Sequence, residues 1–150
     1  KHKVDDGLPL RKAALSCVDT ILDTLPEQLD MGAFMPHLST GLADKQPDVQ
    51  MLCHQILAKV CVYSPGAVLG SLDVLIPPLE KTANKKVKDS QVGTEVERAN
   101  DLIRSSLRAV VAISSTEDIG TSRKFSDFLQ RVESRENLYV MLSAIRSENN

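Results

Sequence analysis

A helix-like segment is written three times in this chain, at residues 6–15, 48–53 and 101–107. Each copy carries an acidic residue, a branched apolar residue, a long polar residue and then an apolar run. The long polar residues are Arg11, Gln50 and Arg104, and Gln50 follows Arg11 by 39 positions. That period belongs to paired-helix solenoids of the HEAT and armadillo kind. The expected fold is therefore all-α, a segment of a right-handed HEAT-repeat α-solenoid. Such an array is a surface rather than a pocket, and its default work is to hold another macromolecule.

The second step is longer than the first. Arg104 follows Gln50 by 54 positions, an excess of 15 that falls at residues 84–98. This insert mixes Val87, Val92 and Val96 with charged residues, and residues 89–91 supply turn chemistry. Three readings stay open: a charged loop, a projecting β-hairpin or a helical extension. A two-stranded hairpin alone in water is marginal, so it would need packing or a partner.

Apolar spacing places the helices. One runs from Leu8 to Leu25, with Pro9 in its first turn. A second covers residues 31–43, with Pro36 near its start. A third follows Asp48, a plausible N-cap, and ends at Tyr63. A fourth covers residues 67–82 with Pro77 and Pro78 inside it; a helix interior rejects proline by ~3 kcal/mol, so a kink or break is expected there. The third copy covers residues 100–114. Helices at 125–132 and 136–146 close the chain, and residues 147–150 form a polar tail. This gives a half repeat at 1–30, a repeat at 31–64, a repeat at 67–115 carrying the insert, and terminal helices at 122–147. The chain begins with Lys1 in what reads as the second helix of a repeat, so it is expected to be a fragment of a longer array.

Composition narrows the function. A net charge of −2, 3% aromatics and no Trp favour neither nucleic acid nor a membrane surface. The three cysteines, Cys17, Cys53 and Cys61, lie in apolar helical context and read as reduced, buried small hydrophobes of an intracellular protein. No apolar run approaches the ~18 residues of a membrane span. His54 follows Cys53, but adjacent residues on a helix diverge, so no dyad is expected, only a core cysteine beside an exposed or groove-facing histidine. There is no C-x-x-C or H-x-x-x-H spacing and no glycine-rich phosphate loop. No catalytic set, metal site, cofactor or small-molecule substrate is expected. Arg11, Gln50 and Arg104 are expected to bond an aspartate in the loop of the neighbouring repeat.

The ordered series of short motifs resembles a known family. Val4, Asp5, Asp6, Gly7 and Leu8 with Arg11, Lys12, Ala13 and Ala14 come first. Met51-Leu52-Cys53, then Ser64-Pro65-Gly66-Ala67-Val68-Leu69 with Leu72-Asp73, then Pro78-Leu79 follow. Lys86-Val87-Lys88 and Arg104-Ser105-Ser106-Leu107-Arg108-Ala109-Val110 complete it. Over about residues 1–113 this resembles the C-terminal end of the cullin-associated, neddylation-dissociated proteins, also called TATA-binding-protein-interacting proteins. The turn Lys45-Gln46-Pro47-Asp48 departs from that family's His-Tyr-Asp-like turn, and Leu15 stands where Phe is usual.

The resemblance implies a non-catalytic module, cytoplasmic and nuclear. It would bind the N-terminal region of an unneddylated cullin and compete with substrate-receptor adaptors of cullin–RING ubiquitin ligases. It implies that a hairpin at residues 84–97 makes the projecting contact. The expected partner-binding residues are Lys85, Lys86, Val87, Lys88, Asp89, Val92 and Glu95, with Gln50 and His54 on the helix faces. A generic HEAT scaffold for another complex, in transport or kinase/phosphatase assembly, is the alternative.

Overall fold

Helices in this chain form where apolar residues recur every three to four positions, and each buries one stripe against its neighbours. The computed structural model describes residues 4–88, 90 and 92–149. Among them run α1 (Leu8–Thr24), α2 (Met31–Leu42), α3 (Pro47–Tyr63), α4 (Pro65–Gly70), α5 (Leu72–Ala83), α6 (Gly93–Ser114), α7 (Arg123–Glu133) and α8 (Glu136–Glu148), and no strand. The helices α1, α3, α6 and α8 lie side by side in one layer, and α2, α5 and α7 in a second. Across the layers α2 packs on α3, α5 on α6, and α7 on α8. This two-layer stack is the arrangement of an α-solenoid. The three look-alike segments fall on α1, α3 and α6, which are consecutive neighbours.

Between the layers runs a continuous aliphatic core. Leu22, Leu38, Ile56, Leu57, Leu75, Leu79, Leu107 and Leu138 are wholly buried in it. Gly41 lets α2 approach α3: a Cβ there would stand 2.4 Å from the Cys53 sulfur.

Side-chain bonds between neighbouring helices read out the register. Across α1 and α3, Lys12 meets Asp48 and Asp23 meets Lys59, each pair 36 positions apart. Across α3 and α6, His54 meets Ser105, 51 positions apart. In the other layer Asp73–Lys124, Glu80–Arg131 and Asn84–Arg135 join α5 to α7, every one 51 apart. A constant offset means parallel helices in register. The step from 36 to 51 sizes the insert at 15 residues, the excess expected from sequence.

Among the described residues the inserted β-hairpin is not seen. Residues 84–88 leave α5 without regular structure, and Gly93 already begins α6. The excess is thus a short charged connection plus two extra turns of helix. Val96, Ala99, Ile103 and Leu107 keep helical spacing, which carries α6 back past the expected start at Asn100. A two-stranded ribbon here would have had no sheet to pack on.

The break expected at Pro77 and Pro78 is not there either. The chain breaks at Ser71, between α4 and α5, and α5 runs on through Pro77 and Pro78. Pro78 has no N–H for the Val74 carbonyl, and the Ser39 hydroxyl of α2 donates to that carbonyl at 2.9 Å. Gly70, a poor helix former, ends α4 just before the break. At the start of α3 the N-cap is Gln46, with Pro47 and Asp48 already inside the first turn, so Asp48 is not the cap. Cys17 is exposed on α1, against the expectation of burial, whereas Cys53 and Cys61 are buried. Burial pushes their thiols up, to about 12 and about 11, leaving both neutral and inert.

Candidate protein-docking interface

Two seams flank α3, and they are built differently. At the α1/α3 seam the polar groups answer one another. Arg11 donates to Asp5 at 2.9 and 2.7 Å and to Asp44, in the turn after α2, at 2.8 and 3.2 Å. These hydrogen bonds to Asp5 and Asp44 raise the guanidinium's pKa, and Arg11 holds the Asp5 carboxyl below its usual range. Lys12 meets Asp48 at 3.3 Å, and Lys59 meets Asp19 and Asp23 at 2.8 Å each. The Lys59 ammonium is correspondingly raised by those two carboxylates.

The α3/α6 seam is open. Among the described residues no ion pair crosses it. The contact across it is His54 Nδ1 to Ser105 Oγ at 2.8 Å. His54 is 2% exposed, so of the two expected placements it is not the exposed one; with Ser105 it lines the groove between α3 and α6. It sits at the base of the groove, where α3 meets α6. Burial depresses its imidazole to about 4, so it is neutral at pH 7. Its Nε2 has no hydrogen-bond partner among the described residues.

Two linked grooves lie along this seam, and His54 and Ser105 help line the first. One, about 390 Å³, runs between Gln55 and Ala58 of α3 and Arg104 and Arg108 of α6. The other, about 600 Å³, lies between the N-terminal turns of the same helices and is lined by Asp48, Met51, Lys85, Glu95 and Arg98. Met51 and Asp101 line both. Arg104 bonds Asp101 of its own helix at 3.1 Å, and Arg108 bonds Glu148 of α8 at 2.6 Å. Neither reaches α3, so Arg104 does not continue the ladder made by Arg11.

Residues 1–133 match the family model described as TATA-binding protein interacting (TIP20). The chain belongs to this family. It is 40% identical over 149 residues to "Cullin-associated NEDD8-dissociated protein 1" of Arabidopsis thaliana. It is 37% identical over 148 residues to protein 2 of that name in Mus musculus, and 35% identical over 149 residues to protein 1 in Dictyostelium discoideum. Each alignment covers 99% of this chain and 12% of the relative. The chain thus spans about an eighth of the length of the relatives it matches.

Within this family member the insert residues fall as follows. Lys85, Lys86 and Lys88 are exposed, Val87 is half-buried, and Val92 is 61% exposed. Glu95 is exposed on the first turn of α6, and Asp89 lies outside the described residues. Lys85 and Glu95 share the 600 Å³ groove. Gln50 is half-buried and tied inward: its amide donates to the Asp44 carbonyl, and its oxygen accepts from Thr82 Oγ1 at 3.4 Å. It braces the turn of its own repeat against α5, so the bond expected to an aspartate of the neighbouring repeat's loop is not the one it makes.

Sequence reasoning passed over Arg98 and Arg108. Their signal was present: Arg104 and Arg108 stand four apart, on one helix face. Among the described residues no group of three or more His, Cys, Asp or Glu could hold a metal ion, and no helix is long and apolar enough to cross a membrane.

Proposed function

We propose that this chain is a non-catalytic docking segment that binds the N-terminal region of an unneddylated cullin. By occupying that region it competes with substrate-receptor adaptors and so regulates receptor exchange on cullin–RING ubiquitin ligases in cytoplasm and nucleus. Support for the cullin comes from the names of relatives that cover nearly the whole chain. The observation that carries the docking reading is the α3/α6 seam, an open charged groove continuous with the exposed insert. Competition needs no catalytic group. It needs two ligands that exclude each other, each weakening the other by the same factor. A rigid helix stack lowers the ordering cost of such an interface.

The test is binding of this chain to unneddylated cullin, to neddylated cullin and to cullin preloaded with adaptor. The expected result is saturable binding to the first and marked weakening with the other two. Equal binding to all three would defeat the competition, and no binding to any would defeat the cullin assignment.

A further inference from the structure

The turn at residues 43–46 and the C-terminal end of α5 enclose a cleft of about 380 Å³ on the rim of the stack. Leu42, Pro78 and Leu102 make its floor, and Lys45, Lys81 and Lys85 stand around it. All three lysines are exposed, and none has an ion-pair partner among the described residues. Asp44 is the carboxylate in the lining, and Arg11 already holds both its oxygens. Gln50 and Thr82, also in the lining, bond each other. The cleft therefore presents three unanswered positive charges over an apolar floor, in a chain of net charge −2. Many cations elsewhere do meet a carboxylate, among them Arg11, Lys12, Lys59, Lys124, Arg131 and Arg146.

From this geometry we infer that the cleft ringed by Lys45, Lys81 and Lys85 receives neighbouring carboxylate side chains from an acidic stretch of a partner protein. This deepens the docking reading by naming the partner's chemistry at one end of the groove system; Lys85 also lines the 600 Å³ groove. Glutamate and aspartate fit because their methylene stems match the apolar floor while their heads meet the ammonium groups. A phosphate group is favoured less, because the ring holds no arginine to grip it bidentately. Complementing the carbonyl ends of α2 and α5 would account for lysines here in structural terms alone, and the experiment separates that role.

The 150-residue chain is titrated by NMR with a tetraglutamate peptide, a tetralysine peptide and inorganic phosphate, alongside the triple variant Lys45→Gln, Lys81→Gln, Lys85→Gln. The expected result is saturable shifts around residues 42–50 and 78–85 with tetraglutamate alone. These weaken as salt rises and fall about tenfold in affinity in the triple variant, whose unfolding midpoint stays near wild type. Absence of saturable shifts, undiminished binding in the variant, or equal shifts with phosphate would each overturn the inference. So would a lowered unfolding midpoint with unchanged binding, the mark of a purely structural role. The same variant measured against cullin keeps the two readings apart. Cullin bound equally by variant and wild type removes this subsite but leaves docking intact. Tetraglutamate bound while cullin is not leaves the subsite and removes the cullin assignment.

Discussion

The two seams on either side of α3 use the same helix and similar aliphatic packing, yet one is closed and the other open. Between α1 and α3, Arg11, Lys12 and Lys59 spend their charges on Asp5, Asp44, Asp48, Asp19 and Asp23. Between α3 and α6, the arginines lean on their own helix or on α8, and beside the shared apolar core the part-buried His54–Ser105 bond is the polar contact that crosses among the described residues. The difference teaches where a partner has something to gain. A seam whose charges are matched across it offers little new bonding, whereas groove arginines paired only with exposed carboxylates of their own helix or of α8 stay within a partner's reach and offer electrostatic complementarity.

The largest expected effect tests whether the open seam is nonetheless held by packing. Leu107→Ala, on a wholly buried side chain of α6, should cost about 2–5 kcal/mol in chemical denaturation. A loss below about 1 kcal/mol would mean that α6 is poorly packed and the seam mobile.

Next comes acid. His54 sits near 4 when folded, against an ordinary 6.5. The unfolded chain takes up the proton first, so stability is full above about pH 6.5 and falls as pH drops towards about 4. The loss is on the order of 3 kcal/mol by linkage. His54→Gln should flatten that fall, measured as the difference in unfolding free energy between variant and wild type across the window. Parallel curves would mean that the imidazole is not buried neutral.

Where α2 meets α3, Gly41→Ala pushes a methyl into Cys53 near Leu15. It should destabilise by about 1–3 kcal/mol despite alanine's better helix propensity. An increase in melting temperature would contradict the close approach of α2 to α3. Smallest is Arg11→Ala, whose half-exposed ion pairs should give a slight drop in melting temperature that ~0.5 M salt erases.

How much of this was legible beforehand follows from the physics of each part. Period and helical spacing report burial, so the stack of α1, α3 and α6, and even the 15-residue excess, could be read from Arg11, Gln50 and Arg104. The insert misled because Val87, Val92 and Val96 also suit a strand, while α6 packing, which extends helix back to Gly93, is a tertiary effect. Pro77 and Pro78 misled because the Ser39 hydroxyl that rescues the Val74 carbonyl comes from another helix. His54 looked available because sequence alone does not say that α6 closes over it through Ser105. The open groove was the least legible part, since it depends on which carboxylates each arginine fails to reach.

The most direct measurement sets the two seams against each other in cullin binding. Arg104→Glu with Arg108→Glu reverses charge in the open groove, and Lys12→Glu with Lys59→Glu does so at the closed seam. With folding verified for both, the groove pair should weaken binding of unneddylated cullin by about tenfold or more, and the closed-seam pair by no more than about twofold. Equal effects, or a larger effect from the closed seam, would contradict the assignment of the open seam as the docking face.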